Sequence, residues 1–272
     1  MDEIYHPAPD VHVLPTTLPI GPAEVLTVNA FVLAAQEPVL VDTGLGQSGD
    51  ELLDAVDAVV GLANLKWLWL THDDADHTGA VQRVLAAAPQ ARLVTHAFSA
   101  IRMSTWWPVP LDRVHAIRPG DRLWVGDRTL RAVAPPLYDN PMSVGLLDES
   151  TGSLFSVDSF GAVLAAPTQD AAEVPQDALA AGMLAWSVMD SPWSSMLDRE
   201  KFAEVLDDVR RLEPSRIFSS HLPAASGTSL ERFLDVLSSA SYATPVPAPS
   251  HTEFTAMIED MQAQLEAAAA AG

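Results

Sequence analysis

The chain has 272 residues, enough for one large domain or two small ones, and 48% of them are hydrophobic, so a sizeable core can be buried. Its formal charge of -21 argues against a nucleic-acid partner, whose phosphates reward Lys/Arg patches, and against anionic membrane surfaces. Cysteine is absent, which excludes disulfides, thiolate zinc sites, iron–sulfur clusters and cysteine nucleophiles.

The N-terminus Met1-Asp2-Glu3-Ile4 is acidic and leads into no apolar signal region. No run reaches the ~20 apolar residues of a membrane span, so a cytoplasmic protein is expected. Val11–Leu14, Val25–Leu33 and Pro38–Val41 read as strands, with a turn at Gly21-Pro22 and a glycine-rich exit at Asp42-Thr43-Gly44-Leu45-Gly46. Asp50–Val60 carries Leu53, Val56 and Val60 at helical spacing. The apolar run Leu65–Leu70 predicts a buried strand, Gly79–Ala88 a helix ending before Pro89, and Ala91–Thr95 a further strand. Alternating strand and helix implies an α/β class.

Beyond residue 110 the pattern changes. Val114–Ile117, Arg122–Val125, Thr129–Ala134, Ser143–Leu147 and Ser153–Val157 are short segments between turns, which predicts an antiparallel meander. Residues 170–200 mix Ala, Pro and Trp and predict a helix and a mobile cap. Lys201–Leu212 is an amphipathic helix with Phe202, Val205, Leu206, Val209 and Leu212 on one face, and Arg216–Ser219 is a strand. Residues 244–250 are a Pro-rich linker. The tail 251–272 predicts a helix with an apolar stripe of Phe254, Met257, Ile258, Met261 and Leu265. That stripe is expected to pack on the body of the same chain, with a homodimer contact as the alternative.

The most informative segment is Thr71-His72-Asp73-Asp74-Ala75-Asp76-His77-Thr78-Gly79, at the C-terminal end of the 65–70 strand, where open α/β sheets place ligands. His72, Asp74, Asp76 and His77 are metal-capable side chains packed into one turn, so a metal site is the first hypothesis. Asp139, Asp158 and His221 each follow a predicted strand. The intervening segments are 78–138, 140–157 and 159–220. Asp42 is expected to hydrogen-bond loop backbone beside the site, and Asp73 to cap or support it. His96 and His115 lie outside the pattern. Trp106, Trp107, Trp186 and Trp193 sit in loop or cap segments, where they either wall a small dry pocket or pack the core. Ser143 and Ser159 have no evident base partner.

His72-x-Asp74-x-Asp76-His77, with Asp42-Thr43-Gly44 upstream and Asp139, Asp158 and His221 downstream, resembles the metallo-β-lactamase superfamily. Within it the chain is most similar to the diiron domain of flavodiiron proteins and oxygen-binding diiron proteins, in which a carboxylate stands at the second motif position. Val28-Asn29-Ala30-Phe31-Val32 and Leu154-Phe155-Ser156-Val157-Asp158-Ser159-Phe160-Gly161 add to the likeness, which covers about residues 10–235. Asp139 departs from it, standing where the family has a third His.

The resemblance implies an αββα sandwich over residues 1–243, two mixed sheets with helices on the outer faces. It also implies two divalent metals: one on His72, Asp74 and Asp139, the other on Asp76, His77 and His221, with Asp158 bridging. A shell of Asp and His without thiolate favours iron, with manganese or zinc as alternatives. The expected function is a diiron protein that binds or reduces O2 or NO. With no FMN domain in this chain, electrons would come from a separate donor protein. A metal-dependent hydrolase of a small ester or lactone, acting through a bridging hydroxide, is the alternative enzyme, and a degenerate member that binds metal weakly is the third reading.

Overall fold

In the computed structural model, which describes residues 1–21 and 23–271, the chain forms two mixed sheets. The first has seven strands in sequence order: β1 (Tyr5–Ala8), β2 (Val11–Gly21), β3 (Glu24–Leu33), β4 (Val39–Val41), β5 (Trp67–Trp69), β6 (Arg92–Thr95) and β7 (Val114–Ala116). Strands β1 to β4 pair antiparallel, whereas β4 to β7 run parallel. The second sheet has six strands: β8 (Arg122–Trp124), β9 (Thr129–Val133), β10 (Gly145–Asp148), β11 (Ser153–Phe155), β12 (Arg216–Phe218) and β13 (Ala225–Ser226), in the order β13-β12-β11-β10-β9-β8. The predicted meander is therefore β8 to β11. The Val114 strand does not belong to it, since it extends the first sheet parallel to β6.

The helices are α1 (Gly49–Val60), the single turn α2 (Ala75–Thr78), α3 (Val81–Ala87), α4 (Ala97–Met103), α5 (Gln176–Asp190), α6 (Arg199–Arg210), α7 (Leu230–Ala240) and α8 (His251–Ala271). Alternation along the strands sorts the apolar residues into layers. Phe31, Val41 and Trp69 of the first sheet meet Leu130, Phe155 and Phe218 of the second, so the sheets pack face to face. Val32, Leu40 and Leu68 point the other way, onto Val56 of α1, Val84 of α3 and Met103 of α4. Val133, Leu154 and Ile217 likewise point away from the centre, onto Met183 of α5, Leu206 of α6 and Phe233 of α7. Each fully buried side chain of this size contributes about 1.5–3 kcal/mol, and the sandwich has three such interfaces. This is the expected αββα architecture.

Two further elements depart from the sequence reading. On α6, Phe202, Leu206 and Val209 are buried but Val205 is exposed. On α8, Phe254, Met257 and Ile258 are exposed, so this part of the stripe does not pack on the body of the chain. The side chains of Met261 and Leu265, like Pro22 and Gly272, lie outside the described residues.

The layers bring the C-terminal ends of β4, β5, β11 and β12 to one edge of the sandwich. Backbone there is forced: Asp42, Val157 and Phe160 have φ of 58°, 59° and 70°, a region that β-branched and bulky side chains avoid. The Val157 carbonyl is held by Ser219 Oγ at 3.0 Å and by Ser220 N at 2.9 Å. Strain held in place this way clusters at functional sites, and here it re-aims the chain just before Asp158.

Candidate metal centre

The motif turn is built from both sides. Behind it, the β4 exit clamps α2. Thr43 N and Thr43 Oγ1 donate to the His77 carbonyl at 2.8 and 2.9 Å. Gly79 lies so close to the Gly44–Gly46 loop that a Cβ there would fall 2.1 Å from Gly46 N, so only glycine fits. In front, Val144 N donates to the Thr71 carbonyl at 2.8 Å and Trp69 Nε1 to the Val144 carbonyl at 3.0 Å, which ties the Asp139 loop to β5. Asn140 Nδ2 completes the tie by donating to Asp73 Oδ1 at 3.1 Å and Asp74 Oδ1 at 2.8 Å.

Seven sequence-predicted side chains converge on this edge. Their donor atoms form three overlapping groups: His72, Asp74 and Asp139; Asp76, His77 and His221; and His72, His77 and Asp158. In each, one donor atom per residue lies within 4.8 Å of the others. Asp158 sits between the first two groups. Its Oδ2 is 3.4 Å from His72 Nε2, and its Oδ1 is 3.1 Å from both His77 Nε2 and His221 Nε2. Asp76 Oδ2 is 3.4 Å from His77 Nε2 and from His221 Nε2. On the other side, His72 Nε2 is 3.7 Å from Asp74 Oδ2 and 4.0 Å from Asp139 Oδ1. Donors sharing an ion at bond lengths of ~2.0–2.2 Å lie ~3.0–3.5 Å apart, so the spacings around Asp158 suit a common cation.

The outer ring nitrogens decide what those contacts are. His221 Nδ1 is 2.9 Å from the Thr27 carbonyl, an acceptor, so Nδ1 carries the proton. His77 Nδ1 lies 2.8 Å from Asp42 Oδ2 in the same role. In a neutral imidazole the remaining Nε2 then presents a lone pair, and both lone pairs face the Asp158 carboxylate. Despite the short separations, neither oxygen of Asp158 has a hydrogen-bond partner in acceptable geometry among the described residues, and the side chain is 3% exposed. A buried, unpartnered carboxylate is costly. A cation between the oxygens and the lone pairs removes that cost, so the residues present fit a pair of metal ions.

The electrostatics of the metal-free pocket carry the same tension. Burial opposes charge on His77, but Asp158, Asp42 and Asp76 raise it well above the ordinary imidazole range. His221 is raised against the same burial by Asp158 and Asp76, whereas His72 is lowered by burial and by the His77 charge. The imidazoles hold Asp158 and Asp76 below the usual carboxylate range in spite of burial. Asp139 is pushed up to about 8 by burial and by Asp74 beside it.

The supporting residues fall as expected for Asp42 and Asp73. Asp42 also accepts from Thr71 N and Thr71 Oγ1, both at 2.8 Å. Asp73 pairs with Arg102 Nε at 2.9 Å. His96 caps α4, accepting from Phe98 N at 3.2 Å. Of the tryptophans, Trp186 covers the site: its ring centroid is 4.5 Å from that of His221, and Nε1 donates to the Asp158 carbonyl at 3.0 Å. Sequence reasoning missed Asp190. It ends α5 one turn after Trp186 and is pushed up to about 7 by burial and by the Asp158 charge. Its spacing from Trp186 was the available signal. It also missed Asn29, whose Nδ2 donates to the Ser219 and Leu222 carbonyls at 3.0 and 2.9 Å, on either side of His221.

The chain is similar to several known proteins. Coenzyme F420H(2) oxidase of Methanothermobacter marburgensis is 28% identical over 200 residues, 70% of this chain and 49% of that protein. Putative diflavin flavoprotein A 1 of Thermosynechococcus vestitus is 30% identical over 137 residues, 50% of this chain and 24% of that protein. The chain thus spans half or less of the length of these curated relatives. Among solved structures, rubredoxin oxygen:oxidoreductase from Desulfovibrio gigas superposes with a TM-score of 0.75 at 20% identity, covering 88% of this chain and 61% of the other. The flavodiiron protein from Giardia intestinalis gives 0.77 at 16% identity, covering 89% and 60%. At these identities the likeness establishes the shared metallo-β-lactamase-like fold. The family model described as "ODP family beta lactamase" matches residues 26–221, a span that runs from β3 to the last residue of the converging cluster, and the chain belongs to that family.

Proposed function

We propose that the chain is a dinuclear metal protein, most simply a diiron one, that binds O2 or NO and reduces it with electrons from a donor outside residues 1–272. One ion would be held by His72, Asp74 and Asp139, the other by Asp76, His77 and His221, with Asp158 available to both. The observation that carries this reading is Asp158 itself, buried with both oxygens unpartnered and facing three imidazole nitrogens. Support for iron comes from the mixed imidazole and carboxylate donors. The redox reading draws on relatives described as a flavodiiron protein, an oxygen:oxidoreductase and an F420H(2) oxidase.

When bound, two ferrous ions would supply electrons and open coordination positions for a small diatomic. The protein's part is to hold and shield. Asp42 and the Thr27 carbonyl fix the ring orientation of His77 and His221, which keeps Nε2 as the donor. Trp186 closes the His221 side against water. Asp74, Asp76 and Asp139, each about a third exposed (32–33%), mark the open side by which a small molecule enters.

Reconstitution with ferrous iron under anaerobic conditions, followed by NO addition, tests the reading. Iron-nitrosyl absorption that scales with bound iron is expected, together with its loss in Asp158→Asn, which removes one of the four carboxylates, the one placed between the two positions. Turnover of a nitrophenyl ester or lactone by a two-zinc form, with no nitrosyl signal from the iron form, would replace the reading with the hydrolytic one.

A further inference from the structure

The two halves of the proposed centre differ in donors and in rigidity, and this inference rests on that reading of the site. Counting Asp158 on each side, one position offers His77, His221 and Asp76, two nitrogens and two carboxylates. The other offers His72, Asp74 and Asp139, one nitrogen and three carboxylates. His77 and His221 are buried and anchored through Nδ1, and Asn29 clamps the loop on both sides of His221. Among the described residues Asp139 has no such anchor: it is about a third exposed, as Asp76 is, and lies 4.0 Å from His72 Nε2.

We infer that the Asp76/His77/His221 position fills first and takes a borderline ion such as zinc or ferrous iron, while the His72/Asp74/Asp139 position fills second and prefers a harder, oxygen-seeking ion such as manganese(II). Imidazole suits zinc and iron, whereas carboxylate and water suit manganese. Losing the partners that orient a ligand lowers metal affinity by roughly 10–100-fold, which is the gap expected between an anchored position and an unanchored one. Solutions offering comparable free concentrations of both kinds of ion would therefore load a mixed pair, whereas an excess of iron fills both positions.

The test uses the full chain, stripped of metal, titrated with zinc and manganese separately and together, with bound metal measured by mass spectrometry after dialysis and by electron paramagnetic resonance. Zinc should bind in two steps separated by at least ~10-fold. After one equivalent of zinc, manganese should occupy the remaining position and show the six-line signal of an isolated ion. Asp139→His should draw the two zinc steps together and lower manganese uptake; Asn29→Ala should weaken the first step, and Thr27→Val, whose backbone carbonyl survives, should not. Two zinc steps of equal affinity, or manganese excluded from the one-zinc form, would overturn the inference and leave the dinuclear reading standing. Failure of both ions to bind at all would overturn that reading and the inference with it.

Discussion

Asp158 shows how a single side chain can fix the character of a site. Its oxygens are buried among imidazole nitrogens and other carboxylates, an arrangement that is favourable only when protons on the imidazoles or bound cations balance the charge. The metal-free protein should record this tension in its response to pH. Asp139 and Asp190 are pushed up to about 8 and about 7. A carboxyl raised on folding keeps a proton that the unfolded chain has released, so its contribution is lost as pH rises through the raised value. His77 and His221 are raised too, and their contribution is lost in the same direction as pH climbs above the ordinary imidazole value. His72, Asp76 and Asp158 are lowered and act at lower pH. Between about pH 6.5 and 8 the raised groups therefore agree in sign, and the melting temperature of the metal-free protein should fall across that window. Calorimetry in chelator checks this; a melting temperature that is flat or rises from pH 6.5 to 8 would contradict the assignment of these groups to one cluster.

At the scale of elements, what positions the site is close approach between segments far apart in sequence. Gly161 lies against Trp186 and His221: an added Cβ would meet Trp186 Nε1 at 2.5 Å and His221 Cβ at 2.9 Å. Gly161→Ala should push the indole off His221, seen as altered Trp fluorescence and weaker metal retention, whereas unchanged fluorescence and metal content would show that α5 gives way freely. A contrast on α6 tests the packing reading. Leu206→Ala should cost about 2–5 kcal/mol in urea unfolding, and the exposed Val205→Ala change less than ~0.5 kcal/mol. Equal losses would mean that α6 sits differently on its sheet.

That contrast also shows what could be read from the chain. Helical spacing placed Val205 on the apolar face of α6, but spacing cannot say how wide the covered stripe is; the neighbouring layer decides that. Short apolar runs such as Trp67–Trp69 and Phe155 were legible as strands because turns and glycines bracket them. The sheet that each joins is not, and the Val114–Ile117 strand expected in the meander lies instead beside β6 in the first sheet. The converging side chains are legible because metal-capable residues follow strand ends at the motif and again at 139, 158 and 221. Asn29 and Asp190 are not, because their roles arise only where β3 and α5 meet the loops that carry Asp158 and His221, and for Trp186 the chain leaves open whether it walls a pocket or packs the core.

Over the whole molecule, a charge of -21 surrounds a cleft whose side chains call for cations, and long-range attraction of that sign raises the local concentration of metal ions. Among the described residues no helix is long and apolar enough to cross a membrane, and the exposed Phe254, Met257 and Ile258 of α8 leave an apolar face outside the sandwich. The fold's central consequence is that strand ends separated by long stretches of sequence deliver three imidazoles and four carboxylates to one place. Elemental analysis of the protein purified in air from iron-replete cells tests this most directly. The account predicts close to two metal ions per chain, iron the larger share, falling sharply in Asp158→Asn. Less than half an ion per chain in the unaltered protein, or a content that Asp158→Asn leaves unchanged, would contradict it.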